Sequence, residues 1–276
     1  MSKFSHDDFA KNYLTEVMSL IGTASPGRTV RAERREADVW FSPDPKLSGN
    51  RSLLGVLGEI GSHDCLLEVF RNAASRSEVR SCVSKLFSVF AERERQAKRQ
   101  QQKVIEADLP MLWILVPTAS SEFRQRFGFR RQAGMLSGLY AGPKDFRSKL
   151  VVIHQLPKTE GTIWLRMLGR GNVQKRAVRE FSELGLNHPL RAGVFDLLAD
   201  LRANLESRRQ LNEEEEELIM NLSPAYLKKK EEWRQEALAE GRVEIALNML
   251  QEGIAVEVIA RTTGLSIADV EKLAQN

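Results

Sequence analysis

The chain has 276 residues, an apolar fraction of 42% and a net charge of +4, from 41 Lys and Arg against 37 Asp and Glu. That length fits one large domain or a core with an appendage, and no apolar run approaches the ~20 residues of a bilayer-spanning helix. Met1 to Asp8 lack the apolar core of a secretion signal, and Cys65 and Cys82 sit in apolar runs as buried thiols rather than a disulfide, so a cytoplasmic protein without a membrane partner is expected. The charge is uneven. Bases outnumber acids from Arg71 to Lys149, and the balance turns acidic from Glu206. Two readings fit this: a nucleic-acid partner for the core, or a solvated surface.

The first expected helix runs from Ser5 to Ile21. Ser5 caps it, Asp8 completes a capping box, and Phe9, Tyr13, Val17 and Leu20 form one stripe. Ser25-Pro26-Gly27 breaks it. Thr29 to Glu33 alternates like a strand, and Ala37 to Phe41 follows as its neighbour. Ser42-Pro43-Asp44-Pro45 stops that run, since proline removes a ladder donor. Leu53 to Ile60 reads as a short helix, and Asp64 to Phe70 as a mainly apolar central strand.

Ser75 to Gln102 is the longest expected helix, burying Val79, Val83, Leu86 and Phe90. Arg76, Arg80, Arg93, Arg95, Lys98 and Arg99 occupy its other faces. They suit salt-dependent phosphate contacts or, more commonly, a solvated exterior. Met111 to Val116 is a buried strand stopped by Pro117, and Ser120 to Phe127 a short helix. Arg124, Arg126, Arg130 and Arg131 cluster around Phe127 and Phe129. Arginine grips phosphate bidentately and phenyl rings stack on bases, although a core role is the commoner use of such rings. Lys149 to His154 is a further strand. Strands separated by helices predict an α/β fold, a mixed central sheet flanked by helices, with a helical C-terminal extension.

Helical periods dominate after Gly161: Thr162 to Leu168, Val173 to Leu184, Leu190 to Glu206, and a charged helix from Ala225 to Leu250. Glu213 to Glu217 is a solvated helix start whose helix Pro224 limits. Gly253 to Leu273 has the look of a helix-turn-helix: Gly264 suits the turn, Ser266 and Asp269 cap the second helix, and Ile259, Leu265, Ile267, Val270 and Leu273 pack it. Asp269 and Glu271 against Lys272 make that helix a poor neighbour for phosphate, which favours a packing or oligomerisation unit over a DNA reader. The segments are therefore a core over 1–160, a helical extension over 161–210, a charged helical segment over 211–252 and a tail over 253–276. The histidines, His6, His63, His154 and His188, show no metal-ligand spacing.

Two strand-type runs each carry one carboxylate, Asp38 and Glu68. On adjacent strands they converge at one sheet edge and suit a hard divalent cation that takes oxygen ligands and keeps several waters. The pattern resembles the PD-(D/E)XK nucleases. Taken with His6-Asp7-Asp8-Phe9, Asp38-Val39-Trp40-Phe41, Leu66-Leu67-Glu68, Gln155-Leu156-Pro157, Trp164-Leu165-Arg166 and Gly264-Leu265-Ser266, the chain resembles the Rpn-type recombination-promoting nucleases, also labelled transposases of that superfamily.

The resemblance implies a restriction-endonuclease-like core in a bacterial protein that cuts DNA with little sequence preference. Asp38 and Glu68 match the metal-binding acids, with Mg²⁺ or Mn²⁺ as cofactor. Arg76, Arg80 and Lys85 on the basic helix would hold the DNA backbone, and the C-terminal helices are a candidate homo-oligomer contact. One departure stands out. The family's Glu-x-Lys or Glu-x-Gln ends here in Phe70, which can neither position a water nor stabilise an oxyanion. Arg71, next in sequence, becomes the candidate third catalytic residue, but strand alternation points it to the other face unless a bulge intervenes. Arg80 or Lys85 are the substitutes through space. The alternative is a catalytically degenerate relative that binds DNA or a protein partner.

Overall fold

The computed structural model describes residues 3–26, 29–30, 35–185, 188–208, 210–211 and 213–274. The aliphatic runs of the first half form one six-stranded sheet. In chain order the elements are α1 (Lys3–Ser19), β1 (Gly22–Pro26), β2 (Thr29–Val30), β3 (Arg35–Glu36), β4 (Val39–Pro43), a 3₁₀ stretch (Pro45–Leu54), α2 (Val56–Ile60), β5 (Cys65–Val69), α3 (Arg76–Arg99), β6 (Met111–Val116), α4 (Ser121–Arg126), β7 (Leu139–Ala141) and β8 (Ser148–Val152). The strand order is β1-β4-β5-β6-β8-β7, with β2 and β3 as a separate ribbon. β5, β6 and β8 are mutually parallel; β1, β4 and β7 run antiparallel to their neighbours. The sheet is mixed and flanked by helices on both faces, an α/β fold with a helical extension.

Strand alternation divides the core in two. Cys65, Leu67, Val69, Trp113 and Leu115 face a cluster completed by α1 and by α5 (Ile163–Arg166), α6 (Gly171–Ser182) and α7 (Arg191–Glu206). Leu66, Leu112, Ile114 and Val116 face the other way, onto Val79, Cys82, Leu86 and Val89 of α3. Each such side chain, fully buried, contributes roughly 1.5–3 kcal/mol of transfer free energy. Tyr13 Oη donates to the Trp164 carbonyl at 2.9 Å, tying α1 to α5. Ser75 caps α3 through a reciprocal box with Glu78, and Arg93 pairs with Asp64 at 2.7 Å near the helix's far end. The cap thus sets where α3 starts, and the Arg93–Asp64 pair ties its later turns to the residue before β5.

The chain forms two compact units, Met1–Ala225 and Tyr226–Asn276. α8 (Glu213–Gln251) lends its first turns to one and the rest to the other. In the second unit α9 (Val256–Thr263) and α10 (Ile267–Ala274) close on Ala246, with Ile259, Ala260 and Val270 buried. Gly264 adopts φ +74° between them, and Ser266 Oγ accepts from the Asp269 amide at 3.1 Å.

Several expectations are corrected. α1 already includes Ser5 and ends at Ser19, and the next residues form edge strand β1. Its sequence, Gly-Thr-Ala-Ser-Pro, carries no apolar alternation. It packs so closely that a Cβ on Gly22 would lie 2.3 Å from the Ser42 carbonyl oxygen. β4 therefore pairs with β1, not with the Thr29 run. That run is a strand only at Thr29–Val30, and 31–34 lie outside the described residues. Leu53 to Ile60 is split at Gly55, whose φ of 52° and ψ of −125° end the 3₁₀ stretch. β7 was not expected; it is three residues long. α8 continues through Pro224, because losing one i→i−4 bond at a cost of about 3 kcal/mol does not end a 39-residue helix. Ile267 is half exposed rather than packed.

Candidate active site

Glu68 is the one charged residue of β5, and it lies 3% exposed beneath α3. Lys85 reaches it from the helix: its Nζ donates to both carboxylate oxygens, at 2.9 and 2.8 Å. Burial pushes the Glu68 carboxyl up to about 7; Lys85 opposes the shift and Asp38 adds to it. The Cys82 thiol is hydrogen-bonded to Glu68 and is itself pushed up by burial.

Asp38 precedes β4. The last pair of the β4–β5 ladder is Val39 with Leu67, so the register, continued by one residue, sets Asp38 opposite Glu68 on the α3 face. Asp38 Oδ2 accepts from the Val69 amide at 2.9 Å, which fixes the carboxylate at the strand end. Lys11 of α1 lies 3.7 Å from its other oxygen. Two acids and two lysines thus meet at one margin of the sheet.

The other candidates are placed as follows. Arg71 is past the strand and donates to the Gly169 carbonyl at 3.2 Å, so it is not brought to Glu68. Phe70 shares the Glu68 face and packs on the α3 cluster. Arg76 is exposed and lies 3.9 Å from Glu122. Arg80 is exposed on the flank of α3 away from Glu68. Of the three bases assigned to DNA, only Lys85 joins the acids. Lys11 and Cys82 gave no sign in the sequence, since Lys11 lies in α1, remote in the chain, and Cys82 reads as core.

Among the described residues no group of three or more His, Cys, Asp or Glu is placed to hold a metal. Two carboxylates on one face still fit a hydrated hard cation such as Mg²⁺, which is commonly held by one or two protein carboxylates together with waters and substrate phosphates. Asp38 Oδ1 and the Glu68 oxygens are the donors that fit, provided Lys85 releases Glu68.

A mixed sheet bearing a carboxylate pair and a lysine precedes a helix-turn-helix unit. Residues 239–275 match the model of the C-terminal HTH domain of the Rpn/YhgA-like nuclease family. That match is confined to the C-terminal segment and supports an Rpn-type family assignment there. No curated protein and no solved structure matches the chain.

Proposed function

We propose that the chain is a metal-dependent endonuclease that hydrolyses phosphodiester bonds in DNA with little sequence preference, with Asp38, Glu68 and Lys85 as its working residues. The observation that carries this reading is the Lys85 ammonium on both oxygens of Glu68, on the face that Asp38 shares. In the family's pattern a lysine two residues after the Glu stands by the acids. Here that position is Phe70, and a base from α3 stands there instead. A bound Mg²⁺ or Mn²⁺ would polarise the scissile phosphate and lower the pKa of a water. Asp38, pinned by the Val69 amide, and Glu68 would supply the carboxylate oxygens. Lys85, once off Glu68, would orient the attacking water and stabilise charge growing on the phosphate oxygens. Arg71 drops out of this set, being held at Gly169.

Supercoiled plasmid is the direct substrate. Nicking should require Mg²⁺ or Mn²⁺, stop in EDTA, and vanish in both Asp38→Ala and Glu68→Ala; Lys85→Ala should slow it about 100-fold or more. Nicking that persists in both acid-to-alanine variants would remove the proposal.

A second reading, a degenerate relative assembling through its tail, is favoured by a separate observation. Leu238, Ile245, Ile254, Val258 and Ile267 of the second unit are exposed. A chain ended at Ala225 would then have a lower solution mass per particle than expected from the deletion alone, as read by sedimentation.

A further inference from the structure

The flank of α3 turned away from Glu68 borders a cavity of about 480 Å³, walled by Phe127, Phe129, Pro143 and Phe146, with Arg80 at its rim. A more open groove of about 520 Å³ shares Arg80 and continues along the helix past Phe87 to Arg95. Neither Arg80 nor Arg95 has a hydrogen bond or ion pair with a described residue. Arg126, also at the cavity, is held by Glu122. Among the described residues no carboxylate lines either space. Residues 120–149, which build the far wall, contain seven Lys and Arg against two Asp and Glu. Phe87 and Phe146 are 38% and 45% exposed and meet edge to face, with centroids 5.3 Å apart.

Exposed phenyl faces alternating with unpaired guanidinium groups suit one chemistry, a polyanion that also offers flat aromatic surfaces. Duplex DNA supplies the charge but keeps its bases stacked inside. An apolar protein segment would fill the cavity but leave the arginines without partners. We propose that this groove binds single-stranded DNA, with bases against Phe87, Phe146 and the cavity wall and phosphates on Arg80 and Arg95. The inference rests on the DNA reading above and narrows it to DNA with an unpaired portion.

The test measures binding of fluorescent oligothymidylate and of a hairpin duplex to the full chain, in EDTA so that nothing is cut. Joint Phe87→Ala and Phe146→Ala replacement should weaken oligothymidylate binding about 10-fold or more and change duplex binding little. Arg95→Glu, at an exposed position, should weaken it too and flatten its salt dependence. Absence of oligothymidylate binding by the unaltered chain overturns the proposal, as does unchanged affinity in both variants. A self-association that Phe87→Ala abolishes, with oligonucleotide affinity unaltered, assigns the groove to a second copy and overturns it as well. The nuclease reading fails separately: binding with the expected losses, but no plasmid nicking by the unaltered chain, leaves the groove standing and removes the enzyme.

Discussion

Glu68 and Lys85 set the terms at the scale of single residues. A carboxyl with an ordinary pKa near 4.3 is carried up to about 7 by burial. The folded state therefore holds this proton more tightly than the unfolded chain does. Its contribution to stability is fully present below about pH 4.3 and is lost as pH rises through 7. Glu68→Gln should remove this dependence, so that unfolding in urea at pH 5 and pH 8 differs less in the variant than in the parent. Lys85→Ala acts the other way round. At pH 8 it strands an ionised, buried carboxylate and should cost about 3 kcal/mol. At pH 5, below the raised pKa of about 7, the cost should be clearly smaller. Equal costs at the two pH values would mean that Glu68 keeps its charge throughout.

At the scale of elements, two junctions matter, one for the site and one for the core. The Ser75–Glu78 box starts α3 directly after the β5 turn, which fixes how far along the helix Lys85 falls. Ser75→Ala should cost about 1 kcal/mol. Gly55 has backbone angles that only glycine adopts readily, and an added Cβ would lie 2.3 Å from the Gly161 carbonyl oxygen. Gly55→Ala should lower stability by about 1–3 kcal/mol, seen as a shifted urea midpoint with the m-value kept. Element type was legible where period and length agreed: β5, β6, β8 and α3 fall where their apolar spacing puts them. β1 and β7 were not legible. β1 lacks an apolar face and β7 is too short to show a period, so both exist because a neighbouring strand offers its backbone groups.

For the whole molecule, the sheet and its helices are one unit and the helix-turn-helix another. Bases cluster in the first and acids in the tail, so duplex affinity should rest largely on the first. Raising salt from 50 to 200 mM should weaken duplex binding steeply, and if Arg76 or Arg80 contacts phosphate, removing it should reduce the log–log slope by about 0.9. An affinity indifferent to salt would leave the basic faces of α3 as plain solvated surface.

The sequence alone carried strands β4, β5, β6 and β8, the two carboxylates, the long basic helix and the capped turn of the tail. All are written in spacings of two to four residues, within which neighbouring side chains share a face. Tertiary structure decided which charges meet. Lys85 reaches Glu68 from 17 residues away, and Lys11 stands beside Asp38 from another helix. Neither contact leaves a periodic trace, because each depends on how helix and sheet pack rather than on local order along the chain.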